Sequence, residues 1–265
     1  MSHARSSSPL GQFFLGEVPD LSAVVAEQSH DLLFATVSGA HLYGFPSRDS
    51  DVDLRGVHVL PLAEILGLRH GPETKERMWV RDGVEIDLVT HDVQKFCRLL
   101  TRPNGYVLEQ LLSPLVVHTT DAHRRLADLA TGCLTSRHGH HYRGFAVTQW
   151  RLFEKTGEIK PLLYTFRALL TGVHLLRTGE VNAHLPTLLD QLDGPDYLAG
   201  LIEAKVLGEH RALAGAPGRP APERLEADLA HWHEELRRAR EGSDLPLEPV
   251  AFEEVHEFVV GLRLG

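Results

Sequence analysis

Apolar positions follow two different rhythms along the chain. Up to about Asp121 they come as short runs and alternations, and beyond it they recur at three- and four-residue spacing. Leu21 to His30 carries helical spacing after a cap at Asp20 or Ser22. Leu32 to Val37 is a short apolar run, which predicts a buried strand, and the breaker-rich stretch Ser38 to Ser50 predicts a loop. Val52 to Val59 reads as a strand with Val52, Leu54 and Val57 on one side and Asp53 and Arg55 between them. Met78-Trp79-Val80 and Val84 to Val89 flank Arg81-Asp82-Gly83, and the Asp-Gly pair predicts a hairpin turn. Asp92 is placed to cap a helix through Leu100, and Asn104 one through Leu112.

Helical patterns dominate afterwards: His123 to Cys133, Tyr142 to Lys155, Pro161 to Thr178, Tyr197 to Leu213, Pro222 to Arg240 and Phe252 to Leu262. Pro161 suits a first helical turn, and Ala214 to Pro222 is the clearest internal linker. The expected fold class is therefore α+β: a mixed β-sheet with helices over residues 1–120, followed by a helical domain over residues 121–265.

Composition narrows the function. The formal net charge of −9 argues against broad, non-specific coating of nucleic acid, although a local basic groove is compatible with it. No apolar run is long enough to span a bilayer. The first residues lack the basic-then-apolar order of a secretory signal, and residues 1–9 read as a flexible tail. Cys97 and Cys133 form neither a disulfide framework nor a zinc pattern, so a reducing cytoplasm is the expected setting.

The chemistry concentrates in Ser38-Gly39-Ala40-His41-Leu42-Tyr43-Gly44 and in Asp51-Val52-Asp53-Leu54-Arg55-Gly56. Residues two apart in a strand face the same way, so Asp51 and Asp53 would set two carboxylates side by side. Such a pair repels itself unless a cation lies between, and hard oxygen donors favour Mg²⁺ or Mn²⁺. Two such ions about 3.5–4 Å apart can stabilise both oxygens of an in-line phosphoryl displacement. The glycines at 39 and 44 permit tight turns and close approach of a phosphate. Asp87, in the apolar stretch Val84 to Val89, is the candidate third carboxylate, because a charge there is costly unless paired or metal-bound; Glu85 is its competitor.

These segments resemble the nucleotidyltransferase domain of the DNA polymerase beta superfamily, and within it the RNA-repair-pathway polymerase-beta-like family. The likeness rests on Gly-x-x-x-Tyr-Gly and Ser-Asp-x-Asp-x-Arg-Gly, on Asp87, on Lys95-Phe96 and on Asn104 to Glu109. It continues in Lys160-Pro161-Leu162-Leu163-Tyr164-Thr165-Phe166-Arg167 and His174 to Gly179. The resemblance implies transfer of a nucleoside monophosphate from an NTP such as ATP, with pyrophosphate released. Asp51, Asp53 and Asp87 would be the catalytic acids and ligands of two Mg²⁺ or Mn²⁺ ions, with Asp87 helping to activate the attacking hydroxyl. Ser38, Gly39, Ala40, Tyr43, Ser50, Arg55, Lys160 and Arg167 form the expected nucleotide site, Tyr43 there as a packing residue with a hydrogen-bonded tip. Ala40 departs from the family's usual serine, and Ser38, Ser47 or Ser50 are candidates to replace the missing hydroxyl. The expected acceptor is an RNA end, in RNA or tRNA repair. The alternatives are a protein or small-molecule hydroxyl, as in toxin–antitoxin and antibiotic-modifying enzymes, or a non-catalytic nucleotide- or RNA-binding module.

Other motifs read more plainly. Lys160 and Arg167, seven residues apart, share a helix face. Glu109 reads as a structural helix residue, His41 as a pocket lining or a residue tolerant of an unusual loop, and His138-Gly139-His140-His141 as a polar turn. His231-Trp232-His233-Glu234 lacks zinc-protease spacing, Gly39 to Gly44 is not followed by the Lys-Ser or Lys-Thr of a P-loop, and no Gly-x-Ser-x-Gly elbow is present.

Overall fold

Six consecutive buried residues, Leu32–Val37, form strand β1, because a strand covered on both faces has no polar side to show. The computed structural model describes residues 19–265, so the tail expected over residues 1–9 lies outside the described residues. Helix α1 (Leu21–Ala26) precedes β1, and the five-residue helix α2 (Gly39–Tyr43) follows it. Then come β2 (Val52–His58), α3 (Ala63–Leu66), β3 (Thr74–Arg81), β4 (Val84–Asp92), α4 (Val93–Leu100), α5 (Gly105–Leu111) and β5 (Val116–Thr119). The sheet order is β3-β4-β2-β1-β5. β2 and β4 run parallel while the other neighbours are antiparallel, which makes the sheet mixed.

Alternation decides what each face carries. In β2, Val52 and Leu54 are buried while Asp53 and Arg55 stay half-buried on the other side, and in β4 Ile86 and Leu88 are buried while Asp87 is not. The β3–β4 turn has positive φ at both Asp82 (52°) and Gly83 (81°), the conformation that an Asp-Gly hairpin requires. The expected caps are in place: Asp92 accepts from the Gln94 amide at 3.0 Å, and Asn104 from the Tyr106 amide at 3.1 Å.

The second half is helical: α6 (Asp121–Ala130), α7 (His138–Thr156), α8 (Ile159–Thr178), α9 (Leu185–Gln191), α10 (Tyr197–Lys205), α11 (Pro222–Glu241) and α12 (Phe252–Leu264). α8 is buried along nearly its whole length, with α7, α9, α10 and α11 packed around it. α6 lies against α5 and β1, and α12 against α4 and α6. Arg263 on α12 binds both oxygens of Asp92, at 2.6 and 2.7 Å, which ties the last helix to the end of β4. One hydrophobic cluster runs through both halves.

Several elements differ from the sequence reading. α1 stops at Ala26, β3 begins at Thr74, and part of the expected loop after β1 is the short helix α2. The stretch His138-Gly139-His140-His141 is the first turn of α7 rather than a polar turn, and His138 is fully buried. α10 ends at Lys205 instead of running on to Leu213, because tertiary hydrogen bonds claim the following backbone. The Arg48 amide donates to the Val206 carbonyl at 3.2 Å, and the Ile159 amide to the Arg211 carbonyl at 2.8 Å. Cys97 and Cys133 are free and buried, and burial pushes their thiols up to about 12 and about 11. Among the described residues no helix is long and apolar enough to cross a membrane.

Candidate active site

β2 and β4 carry the acids into register. Asp53 pairs directly with Asp87 across the parallel ladder, so two carboxylates of distant sequence position sit side by side on one face. Asp51 stands two residues before Asp53, just ahead of β2. Burial first, and then the Asp51 and Asp87 charges, push the Asp53 carboxyl up to about 6 against the opposing pull of Arg55 and Lys160. All three acids therefore act on one small region.

Arg55 fills the space between two of them. One guanidinium nitrogen contacts Asp53 Oδ1 and also Asp87 Oδ2 at 2.8 Å, while the other donates to the Asp87 carbonyl at 2.6 Å. With that cation drawn in, the acids do not close into a three-ligand cluster among the described residues. The donor set nonetheless fits a hard divalent ion. It consists only of carboxylate oxygens, and Asp53 and Asp87 already share one positive group, the Arg55 guanidinium.

The glycine turn presses on the same carboxylate. The Ser38 amide donates to the Asp53 carbonyl at 2.8 Å, which joins the end of β1 to β2. Gly39 has φ +60°, and a Cβ there would lie 1.7 Å from Asp53 Oδ2. Only glycine fits. Gly39→Ala is expected to lower the unfolding free energy by about 2–4 kcal/mol, from left-handed backbone strain plus overpacking. A denaturant melt with an unchanged midpoint would show that the contact is not made.

The remaining expected nucleotide residues divide into two groups. Tyr43, Glu109 and Arg167 form a buried knot: Arg167 bonds Glu109 Oε1 at 2.6 Å, the Tyr43 hydroxyl donates to Oε2 at 3.0 Å, and the guanidinium carbon lies 4.0 Å over the Tyr43 ring. Arg167 is 1% exposed and spent on this pair, which makes it a support of α2 and not a cation on the cleft surface. Glu109 is 3% exposed and bound by both Arg167 and the Tyr43 hydroxyl. Ser38 and Ala40 are buried at the turn, and His41 is driven down to about 4 by burial and then by Lys205.

Lys160 and Ser50 join a different cluster that the sequence reading largely missed. Lys160 pairs with Glu209, which also binds Lys205, Ser47 and Ser50. Burial alone would raise the Glu209 carboxyl, but hydrogen bonds from Lys160, Lys205 and Ser47 win and hold it at about 2. The sequence signal was Lys205 among apolar neighbours with Glu209 four residues on, a pair that reads as ordinary helix-surface spacing until burial is known.

A family described as RNA repair pathway DNA polymerase beta matches residues 18–260. An uncharacterized protein of Methanocaldococcus jannaschii is 32% identical over 178 residues, spanning 66% of this chain and 72% of that protein. A nucleotidyltransferase-like protein from Exiguobacterium sibiricum, known from a crystal structure, aligns with 83% of this chain and 71% of its own at 14% identity and a TM-score of 0.31.

Proposed function

Because the chain belongs to the RNA repair pathway DNA polymerase beta family, a nucleotidyltransferase family, we propose that it moves a nucleoside monophosphate from an NTP to an acceptor hydroxyl on an RNA end, releasing pyrophosphate. The observation that carries this reading is the register of Asp53 with Asp87, with Asp51 beside them and Gly39 packed against the Asp53 carboxylate.

In this reading Asp51, Asp53 and Asp87 hold two Mg²⁺ or Mn²⁺ ions. Bound there, the ions supply positive charge for the attacking and leaving oxygens of an in-line displacement. The protein's own groups do the rest. Asp87 favours loss of the acceptor's proton as its oxygen attacks the α-phosphorus. Gly39, without a side chain, lets the turn pack directly against the Asp53 carboxylate, which brings the backbone of the turn up to the acids. Arg55 keeps Asp53 and Asp87 oriented and compensates their charge while no nucleotide is bound. Ser47 and Ser50 supply hydroxyls in place of the one absent at Ala40.

A second acceptor class is favoured by one feature. Met78, the register partner of Asp87 on β3, is 63% exposed, and nearby Val80 is 66% exposed. Glu76 and Glu85 are exposed around them. An apolar, acidic rim suits a protein or small-molecule hydroxyl better than a polyanionic strand.

The test is transfer from NTPs labelled at the α-phosphate to RNA ends, and in parallel to protein and small-molecule hydroxyls. The expected result is labelled RNA and released pyrophosphate, both lost in Asp51→Ala and Asp87→Ala. Label on another acceptor would move the reading to the second class, and nucleotide binding with no pyrophosphate release would replace both with a binding module.

A further inference from the structure

Beside the acids lies a receptor for an anion, and its occupant is a side chain of the protein itself. Four donors converge on the Glu209 carboxylate: Lys205 Nζ at 2.6 Å, Ser47 Oγ at 2.6 Å, Ser50 Oγ at 3.2 Å, and Lys160 Nζ on the other oxygen. Lys205 Nζ also donates to Ser47 Oγ at 3.3 Å, and the two serine oxygens are 2.9 Å apart. The donors come from three separate segments: the loop before β2, the first turn of α8 and the last residue of α10. Lys205 is fully buried and Ser47 is 4% exposed, so these groups are organised for an anion and not merely solvated.

The receptor adjoins the reaction centre. Ser50 directly precedes Asp51, Lys160 acts electrostatically on Asp53, and Lys205 and Glu209 both act on His41 of the glycine-flanked helix. Lys160 and Lys205 both bind the single carboxylate of Glu209, and a terminal phosphate offers the same donors more charge and more acceptor oxygens than a carboxylate does.

The Glu209 side chain is held by its four donors, but its backbone lies outside the packed helices: it follows the end of α10, its amide donates to Asp49 Oδ1 at 3.1 Å, and its neighbours Leu207 and His210 are exposed. Moving the carboxylate away leaves buried Lys205 in need of another anion, which an entering phosphate supplies. Ser47 is itself buried, and Lys160 and Lys205 stand on two helices that pack against each other.

We propose that this cluster seats the terminal phosphates of a nucleoside triphosphate, and that Glu209 is a built-in competitor whose carboxylate must swing out before the phosphates enter. The idea rests on the nucleotidyltransferase reading for the identity of the ligand, but its measurement does not. Without nucleotide, the protein neutralises buried Lys205 and half-buried Lys160 itself; with nucleotide, the phosphates replace the carboxylate donor for donor. Apparent affinity is then reduced by the fraction of molecules in which Glu209 is seated.

Calorimetric titration of the full chain with inorganic tripolyphosphate, in chelator and without divalent ions, tests this directly. Glu209→Gln is expected to bind at least about tenfold more tightly than the wild type, because the competing carboxylate charge is gone. Lys205→Met is expected to lose the binding. Equal or weaker binding by a Glu209→Gln protein with unchanged circular dichroism would overturn the proposal. Because that variant leaves a buried lysine less well paired, the wild type offers a second measurement. Amides of residues 206–211 should exchange hydrogen faster at saturating tripolyphosphate, and unchanged or slower exchange would equally overturn it. Tighter tripolyphosphate binding in a chain with no nucleotide transfer would leave the phosphate seat standing and remove only the catalytic reading. Transfer intact with no such gain would remove only the role of Glu209.

Discussion

Asp53→Asn is expected to cut nucleotide transfer by about three orders of magnitude, the rate equivalent of the several kcal/mol that a bound divalent ion contributes, and at the same time to stabilise the metal-free fold. The two effects share a cause. Asp53 is half-buried beside Asp51 and Asp87, and its carboxyl is raised from an ordinary 3.8 to about 6, chiefly by desolvation. Folding therefore favours the protonated form. The contribution of Asp53 to stability is complete below about pH 4 and is lost as pH rises through about 6. Asparagine carries no charge to bury, so in chelator its advantage over the wild type should open between those values and reach about 1–3 kcal/mol at neutral pH. Thermal melts of both proteins across that range check the sign. Melting curves that stay superimposed at every pH would mean that Asp53 sits in no such environment. A variant that is inactive and more stable is the signature of a residue kept for chemistry against the interest of the fold.

Arg167→Met should have the largest effect on stability, a loss of about 3–5 kcal/mol, because it leaves the Glu109 carboxylate buried without its cation. Glu109 is 3% exposed and Arg167 is 1% exposed, so water cannot compensate either one. The pair also holds the Tyr43 hydroxyl, and Tyr43 is the last residue of the short helix that Gly39 begins. Breaking the pair should loosen the turn that presses on Asp53, so activity should fall with stability although Arg167 touches no reacting group. The double variant Glu109→Gln with Arg167→Met removes the orphaned charge and should recover part of the loss in chemical denaturation. If the single and double variants melt alike, the charge pair is not what holds this corner.

Family and fold class were legible in the chain because each rests on local regularity. Alternation in Val52 to Val59 placed Asp53 and Arg55 on one face, the Asp-Gly pair placed the β3–β4 turn, and Asp92 and Asn104 marked helix starts. Periodicity is set by backbone geometry, which a short window of sequence already contains. Boundaries were read less well where distant backbone groups compete, as where α10 stops at Lys205 and where His138 turns out to lie buried in the first turn of α7.

What each polar side chain faces was decided by tertiary structure alone. Lys160 and Arg167 share a helix face in the sequence, yet one reaches the Glu209 cluster and the other is sealed against Glu109 and Tyr43. Lys205 and Glu209 look like a routine surface pair until Ser47 and Ser50, about 160 residues away along the chain, close over them. Spacing along a helix fixes direction, but the partner of a buried charge depends on which distant segment folds against it, and desolvation makes that choice worth several kcal/mol.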